Sequence, residues 1–327
     1  MFYKGKKVLV TGGSGFVGSH IAQALQEQGT LVRVTVHRRP MPVDSGDFDF
    51  CEADLTTAQD CLRAAEGMDF IFHAAGCVGA AGLKGSQVMS AITPNLIMTS
   101  LMLEAGWKAG AKRFLLFGSS TGYPVASHPV KEEEMWSGPT FPGYFGYGWM
   151  RRYLERLAEF VHGQSEMKIA LVRPTAVYGR RDNFDPARGH VIPALVRRAL
   201  EKEDPFVVWG SGGEVRDFLH VRDLAKGCLL ALQAYAECDP VNIGYGRGVT
   251  IREVVEIILR EADHKRARIV FDASKPTAIP VRVVDTGKAR RILGFEPEVS
   301  LREGLKDTIE WYRRTVGQVQ EKRGNTR

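Results

Sequence analysis

The sequence has little cysteine and no long apolar run, and both shortages limit what the protein can be. Its 327 residues include five cysteines, and no two of them form a Cys-x-x-Cys pair. An odd number of scattered thiols does not suit a disulfide framework or a zinc site, so we expect reduced cysteines and no metal. No stretch approaches about 18 consecutive apolar residues, which argues against a membrane span. Because a strand-like run begins at Lys7, we predict no signal peptide and a cytoplasmic protein.

The sequence also lacks a basic stripe interleaved with aromatic residues. Its formal net charge is +6, but the lysines and arginines are scattered, apart from a short tail at 321–327. Nucleic-acid binding usually needs such residues clustered on one face, so we expect no nucleic-acid partner. A negatively charged small molecule accounts for the surplus equally well.

Short β-branched runs alternate with helical patterns through the first half of the chain. This alternation is typical of right-handed crossovers and of an α/β fold with a doubly wound parallel sheet covered on both faces. Beyond Pro174 the alternation loosens, which predicts a smaller α/β lobe with helices near 191–201, 221–236, 251–262 and 301–316. We therefore predict one domain over 1–174 and a second over 175–327, with some later segments returning to the first. The predicted strands are 7–10, 31–36, 70–73, 113–117 and 169–174, and the predicted helices of the first half are 15–28, 57–66, 91–109 and 147–162.

A glycine-rich turn follows the first strand and opens the first helix. Gly12 allows the tight turn, Gly15 lets the backbone approach a pyrophosphate, and Gly18 permits close packing of helix on strand. The amides at the helix N-terminus, including those of Phe16 and Val17, can then meet the negative charge. The turn predicts a Rossmann domain that binds a dinucleotide.

The end of the second predicted strand indicates which dinucleotide. NAD-binding proteins usually carry Asp or Glu there, but this sequence continues as His37-Arg38-Arg39. Two guanidinium groups suit the 2′-phosphate of NADP(H), which is therefore favoured, with NAD possible. Asp54 and Leu55 follow the next strand, where we expect the adenine edge.

Candidate catalytic groups follow two later elements. Ser119 comes directly after a strand, and Tyr147 opens a helix. A tyrosine with an ordinary pKa of about 10 is a poor proton donor at neutral pH unless a cation stabilises its anion. Arg151, one helical turn further on, is placed to do so. Tyr144 is the alternative tyrosine, but Gly148 stands four residues after it and offers no cation.

Together these residues resemble the extended short-chain dehydrogenases/reductases, also called the NAD-dependent epimerase/dehydratase family. Within that family the chain is most similar to the GDP-L-fucose synthases, and the resemblance covers nearly its whole length. The segments that carry it are 118–124, 178–184, 190–195, 208–212, 216–221 and 270–276.

The resemblance implies roles for individual residues. Tyr147 would protonate the C4 oxygen of a nucleotide sugar, Ser119 would hydrogen-bond that oxygen, and His190 would act as an acid toward carbon. Arg151 would hold the nicotinamide ribose, near the segment Ala74-Ala75-Gly76 and Pro174. The residues implied to bind the nucleotide sugar are Asn183, His190, Arg198, Trp209, Arg216 and Lys275.

Two departures from the family pattern bear on the chemistry. The family has lysine where this chain has Arg151, so the charge is kept but the geometry changes, and Arg152 is a second candidate for that role. The family uses a cysteine as carbon-acid base where this chain has Thr121, whose hydroxyl does not ionise usefully. Thr121 can still hydrogen-bond the sugar, and Cys77 is an alternative thiol base. Reduction of a ketone is therefore better supported than epimerisation. We predict an NADPH-dependent reductase of a 4-keto nucleotide sugar, with GDP favoured as the nucleotide by the resemblance, and an additional epimerase activity stays open.

Two other functions stay open at this point. One is a nucleotide-sugar 4-epimerase with tightly bound NAD, and the other is an NADP-binding relative whose catalysis is altered or lost. Dehydration is disfavoured because Gly122-Tyr123 stands where dehydratases carry an Asp-Glu pair. The resemblance further implies a homodimer formed through the helices near 91–109 and 147–162.

Overall fold

A computed structural model describes residues 1–38, 41, 47–77, 85–185, 189–275 and 279–324, with side chains at all of these except 85–87 and 316–324. Helices and strands alternate along most of the chain. The strands are β1 Lys7–Thr11, β2 Leu31–Val36, β3 Asp49–Glu52, β4 Phe70–His73, β5 Arg113–Phe117, β6 Lys168–Pro174, β7 Ala176–Tyr178, β8 Phe206–Trp209, β9 Val215–His220, β10 Val241–Ile243, β11 Gly248–Thr250, β12 Ile269–Asp272 and β13 Val281–Arg282. The helices are α1 Phe16–Gln26, α2 Ala58–Ala65, α3 Thr93–Lys108, α4 Phe145–Gln164, α5 Val191–Leu200, α6 Val221–Ala234, α7 Ile251–Glu261, α8 Gly287–Leu293 and α9 Leu301–Gly324.

A seven-stranded parallel sheet forms the centre of the larger part of the molecule. Its strand order is β10-β6-β5-β4-β1-β2-β3. The inner strands are almost continuously apolar and buried because helices cover both faces. Side chains of α1 and α6 pack in one buried cluster, and side chains of α2, α3 and α4 pack in another on the opposite face. The predicted α/β fold with a doubly wound parallel sheet is confirmed.

The later segments divide between this sheet and a smaller lobe. β10 pairs with β6 in the large sheet although it follows residue 174. In the smaller lobe, β9 lies between β11 and β13 and also pairs with β7, while β8 pairs with β12. A third buried cluster joins α5, α7 and α9 there. The boundary at residue 174 stays a prediction.

Most predicted elements match the structure within a few residues, and the differences have local causes. α4 begins at Phe145 because the 3-10 turn Pro142–Tyr144 leads directly into it, so Tyr147 lies in its first turn. α9 continues to Gly324, beyond the predicted 316. The sequence did not predict α8, a helix of seven residues too short for a clear periodicity.

One helical stretch among the described residues, Val88–Lys108, is long and apolar enough to cross a membrane by length and composition alone. Buried helices of globular proteins meet the same criterion, and 39% of its most apolar window is buried. α3, which makes up most of it, packs against α2 and α4. The absence of a membrane partner stays a prediction.

Candidate active site

The glycine-rich turn brings backbone against backbone at the carboxyl end of β1. Gly12 has a φ of +65°, and a Cβ on it would lie 2.7 Å from the Cα of Ala75. A side chain at Gly18 would overlap the carbonyl of Gly12. The Gly12 amide donates to the Thr35 hydroxyl at 2.9 Å, which ties the turn to β2. Only glycine therefore fits at positions 12 and 18.

The N-terminus of α1 suits the pyrophosphate of a dinucleotide. Gly15 caps the helix in an extended conformation and has no side chain to cover the first amides. Phe16 and Val17, the next two residues, are partly buried, and the first turn carries no acidic residue. The amides and the positive end of the helix dipole can therefore meet a phosphate group.

The carboxyl end of β2 carries cations and no carboxylate. His37 and Arg38 are exposed, and His37 Nε2 lies 3.9 Å from Asp54 Oδ2. The Thr56 hydroxyl donates to Asp54 at 2.7 Å. That bond lowers the pKa of Asp54, with further contributions from the Thr56 amide and the charges of His37 and Arg38. Arg39 lies outside the described residues.

A buried histidine supports the segment that follows β4. His73 Nδ1 lies 2.9 Å from the Thr11 hydroxyl and Nε2 lies 3.2 Å from the Thr99 hydroxyl. The Ala75 amide donates to the same Thr11 hydroxyl at 3.1 Å. Burial, together with the charge of Arg151, lowers the pKa of His73 to about 3, so its ring is neutral. His73 and Thr11 therefore hold the segment in place.

Other residues predicted to bind the cofactor lie along this same edge of the sheet. Leu55 is buried in the core beside α2. Ala74 is partly buried, and Gly76 is exposed. A Cβ at Gly76 would lie 3.9 Å from Arg151 Nη2, so this segment reaches α4. Pro174 ends β6 on the other side of β5.

Arg151 holds the hydroxyl of Tyr147. Its Nη2 donates to the Tyr147 oxygen at 2.7 Å and its Nε donates to the same oxygen at 3.2 Å. Its Nη1 donates to the carbonyl of Phe117 at 3.3 Å, at the end of β5. Arg152 points elsewhere: it is buried and donates to the carbonyls of Gly122 and Gly138, each at 2.8 Å. Arg151 is therefore the cation beside the tyrosine, and Arg152 holds the preceding loop.

Ser119 and Thr121 face each other next to that tyrosine-bearing helix. Their hydroxyl oxygens are 2.8 Å apart, and the Thr121 amide also lies 3.2 Å from the Ser119 oxygen. A Cβ at Gly148 would lie 2.8 Å from the Thr121 carbonyl, so the start of α4 rests directly on this turn. The end of β5 and the start of α4 are thus in direct contact.

Cys77 lies near the same segment. Asn95, buried in α3, accepts a hydrogen bond from the Cys77 amide at 3.0 Å and donates to its carbonyl at 2.7 Å. The residues that follow, 78–84, lie outside the described part of the chain. A catalytic role of this thiol stays a prediction.

A buried ion pair joins α4 to β6. Arg173 and Glu155 have side chains 2% and 4% exposed, and two bonds of 2.9 and 2.7 Å join them. Arg173 also donates to the Tyr123 hydroxyl at 2.9 Å and to the Glu132 carbonyl at 2.7 Å. One guanidinium therefore links β6, α4 and the loop between β5 and α4.

His190 caps α5 and lies beside the buried carboxylate of Asp182. Its Nδ1 lies 3.5 Å from Asp182 Oδ1, and its side chain is 47% exposed. The hydrogen bond to Asp182 raises the pKa of His190, against an opposing effect of its burial and of the nearby Arg282 charge. Asn183 donates its amide to Asp182 at 2.6 Å, which fixes the carboxylate.

Two arginines stand side by side on neighbouring strands of the smaller lobe. Arg282 of β13 is in register with Arg216 of β9, so both side chains leave the same face. Burial and the charge of Arg282 lower the pKa of Arg216 to about 10. Arg282 Nη1 is buried without a hydrogen-bond partner among the described residues. Arg282 was not among the predicted site residues, although it is a lone cation within the apolar run 279–284.

The remaining predicted substrate residues do not share one environment. Arg198 pairs with Glu203 at 2.6 Å and packs over the Phe206 ring, so its charge is already neutralised. Trp209 is 60% exposed at the end of β8. Asp272 is in register with it on β12, and Lys275 lies in the turn that follows. Trp209 and Lys275 therefore lie at one end of the two-stranded sheet, and their binding role stays a prediction.

A family model, a related protein and two solved structures each match most of this chain. The model of the NAD dependent epimerase/dehydratase family matches residues 8–244. A protein of Arabidopsis thaliana named putative GDP-L-fucose synthase 2 is 34% identical, over 97% of this chain and 95% of its own length. The solved UDP-glucose 4-epimerase of Thermotoga maritima is 27% identical, with a TM-score of 0.81, over 95% of this chain and 99% of that chain. A mutant UDP-glucuronic acid 4-epimerase of Bacillus cereus, solved with NAD, is 25% identical, with a TM-score of 0.82, over 94% of this chain and 99% of that chain.

Proposed function

The chain belongs to the NAD dependent epimerase/dehydratase family, and from this premise we propose that it reduces the 4-keto group of a nucleotide-linked sugar with NADPH. Its relatives are enzymes that act on nucleotide sugars, so the proposal concerns which reaction of that class this chain performs. The observation that carries the proposal is the pair of hydrogen bonds from Arg151 to the Tyr147 hydroxyl, next to the turn that holds Ser119.

A bound NADPH supplies the hydride for the ketone carbon. Tyr147 donates its proton to the ketone oxygen, and the permanent charge of Arg151 stabilises the phenolate left behind. The Ser119 hydroxyl donates a hydrogen bond to the same oxygen as negative charge develops on it. Arg151 is anchored through the Phe117 carbonyl, so its charge stays in place during proton transfer.

The residues at the end of β2 support NADPH over NADH. His37 and Arg38 are exposed, and no carboxylate stands where an NAD enzyme would bind the ribose 2′-hydroxyl. Asp54 is engaged by Thr56 and His37 and belongs to the adenine edge. The cations can pair with a 2′-phosphate.

Thr121 supports reduction without epimerisation. Its hydroxyl is hydrogen-bonded to Ser119 at 2.8 Å and cannot remove a proton from carbon as a thiolate can. The sugar therefore keeps the configuration of its neighbouring carbons, and Thr121 together with Ser119 holds its oxygen atoms. His190, beside Asp182, is placed to hydrogen-bond the sugar.

The arginine pair supports an anionic substrate. Arg216 and Arg282 lie in register, and no described carboxylate forms an ion pair with either. Arg216 is buried and Arg282 is partly buried, and two adjacent guanidinium groups without a counter-charge are costly unless an anion joins them. The diphosphate of a sugar nucleotide supplies that charge, and the 34% identity to a GDP-L-fucose synthase favours GDP as the nucleotide.

The variant Tyr147→Phe tests the proposal. We expect kcat for a 4-keto-6-deoxy sugar nucleotide to fall at least about a hundredfold, since general acid catalysis contributes about 10²–10⁴-fold. Tyr235→Phe is the matched control, because its hydroxyl bonds to Asp239 at 2.7 Å on the surface of the molecule. Equal turnover by wild type and Tyr147→Phe would mean that the chain binds the dinucleotide without this catalysis.

A 4-epimerase is the second candidate, favoured by the two similar solved 4-epimerases, one of which was determined with NAD. Such an enzyme oxidises and then reduces the sugar and keeps its cofactor throughout. Denaturing the purified protein and identifying the released dinucleotide separates the two reactions. Stoichiometric NAD supports the epimerase, whereas an empty protein that binds added NADPH reversibly supports the reductase.

The exposed face of α3 and α4 supports a homodimer. A groove between these helices is lined by apolar residues, and Ile97, Trp149 and Tyr153 are 39–56% exposed there. Contiguous apolar surface of this kind marks an interface between proteins. Light scattering is expected to give about twice the chain mass, and Trp149→Glu is expected to yield monomers.

A further inference from the structure

Tyr144 lies between the arginine pair and the catalytic helix. It ends the 3-10 turn Pro142–Tyr144, and α4 begins at the next residue. The guanidinium carbon of Arg282 lies 5.3 Å from the centre of the Tyr144 ring, a cation–π contact. Arg216 stands beside Arg282, in register with it on the neighbouring strand. Tyr144 thus contacts one arginine, and the other arginine is that residue's neighbour.

The two arginines keep hydrogen-bonding capacity that a ligand can use. Arg216 Nη1 donates to the carbonyls of Val215 and Pro280 at 2.7 and 3.2 Å, which fixes the side chain without neutralising it. Arg282 Nη1 is buried and unpartnered among the described residues. The nearby carboxylate of Glu214 accepts bonds from backbone amides at 211 and 212, each at 3.0 Å, and leaves both charges free for an anion.

The loop that carries Tyr144 is fastened to the strand that carries Arg282. The Val130 amide donates to the Val283 carbonyl at 3.0 Å, and the Asp285 amide donates to the Val130 carbonyl at 2.8 Å. The Phe141 ring packs edge-on against Tyr144 with centroids 5.5 Å apart. The position of Tyr144 relative to the arginine pair is therefore built into the fold.

We propose that Tyr144 is a substrate-binding residue that selects a diphosphate over a monophosphate. Its ring orients Arg282, and its hydroxyl donates a hydrogen bond to the phosphate next to the sugar, which both arginines hold. Tyr147 follows three residues later, in the first turn of α4. The start of this helix therefore fixes the distance between the residue that binds the diphosphate and the residue that acts on the ketone. This inference rests on the proposed function, since it assumes a nucleotide-linked sugar at this site.

Calorimetry with GDP and GMP tests the inference without turnover. Tyr144→Phe is expected to raise the Kd for GDP about tenfold, the loss of one hydrogen bond to a charged group, and to leave the Kd for GMP within about twofold. Tyr144→Leu, which also removes the ring, is expected to weaken GDP binding further. Tyr235→Phe is the control. Like Tyr144, Tyr235 packs against a cation, since Lys288 Nζ lies 5.6 Å from the centre of its ring. This variant is expected to bind both nucleotides with the wild-type Kd.

Three results separate the possibilities. An unchanged Kd for GDP in both Tyr144 variants would overturn the inference. Equally weakened binding of GDP and GMP would also overturn it, because Tyr144 would then only hold the loop. The Kd for NADPH, which is expected to be unchanged, reports whether each variant folds. If wild type bound neither GDP nor UDP, the proposed function itself would be wrong, whatever the variants do.

Discussion

Removing the charge of Arg151 is expected to abolish most of the activity. Its two hydrogen bonds to the Tyr147 oxygen, at 2.7 and 3.2 Å, become strongest when that oxygen loses its proton. A hydrogen bond to a charged group contributes about 1.5–3 kcal/mol. We take the low value for each of the two bonds, because both are donated to the same oxygen. The sum of about 3 kcal/mol corresponds to a fall in kcat of roughly 150-fold for Arg151→Met.

Two further variants make this prediction specific to the charge at position 151. Arg151→Lys keeps a cation near Tyr147 and is expected to lose less than about tenfold in kcat. Arg156→Met removes an exposed arginine one turn further along α4, bonded to Glu159 at 2.5 Å, and is expected to change kcat less than about twofold. Steady-state consumption of NADPH is the assay. A folded Arg151→Met protein that keeps more than about a third of the wild-type kcat would refute the reasoning.

Three other changes test separate parts of the structure. Asp182→Asn is expected to lower the free energy of unfolding, measured in urea, more at pH 5 than at pH 8. Asp182 raises the pKa of His190 in the folded protein, so their interaction stabilises the fold below the ordinary histidine pKa of about 6.5. That contribution is lost as the pH rises through the folded pKa. Glu155→Leu leaves Arg173 buried without its carboxylate and is expected to cost about 3–5 kcal/mol of unfolding free energy, part of which the additional change Arg173→Met restores. Arg38→Ala is expected to raise the KM for NADPH about tenfold and to leave that for NADH unchanged, as measured by initial rates.

The sequence was sufficient for the features that depend on local spacing. The glycine turn, the alternation of strands and helices and the apolar strands all follow from residues close together in the chain. The joining of the Ser119 turn to the start of α4 could also be predicted, because functional groups of parallel sheets collect at the carboxyl ends of the strands. The family resemblance then supplied their chemical roles.

The features that were missed depend on contacts between distant segments. Arg282 meets Arg216 only because β13 and β9 pair in one register, which no local pattern specifies. Tyr144, predicted only as an alternative to Tyr147, contacts Arg282 although the two lie 138 positions apart in the chain. The ion pair of Arg198 with Glu203 was likewise not predicted, and the binding role of Arg198 stays a prediction.

The most direct test of the account follows a 4-keto-6-deoxy sugar nucleotide and NADPH in heavy water. We predict that NADPH is consumed and that no deuterium enters the carbons flanking the ketone, since Thr121 cannot act as a carbon-acid base. Deuterium at those carbons would contradict the account, because another group would then remove protons there. Failure to consume NADPH with any such substrate would contradict the proposed reduction itself.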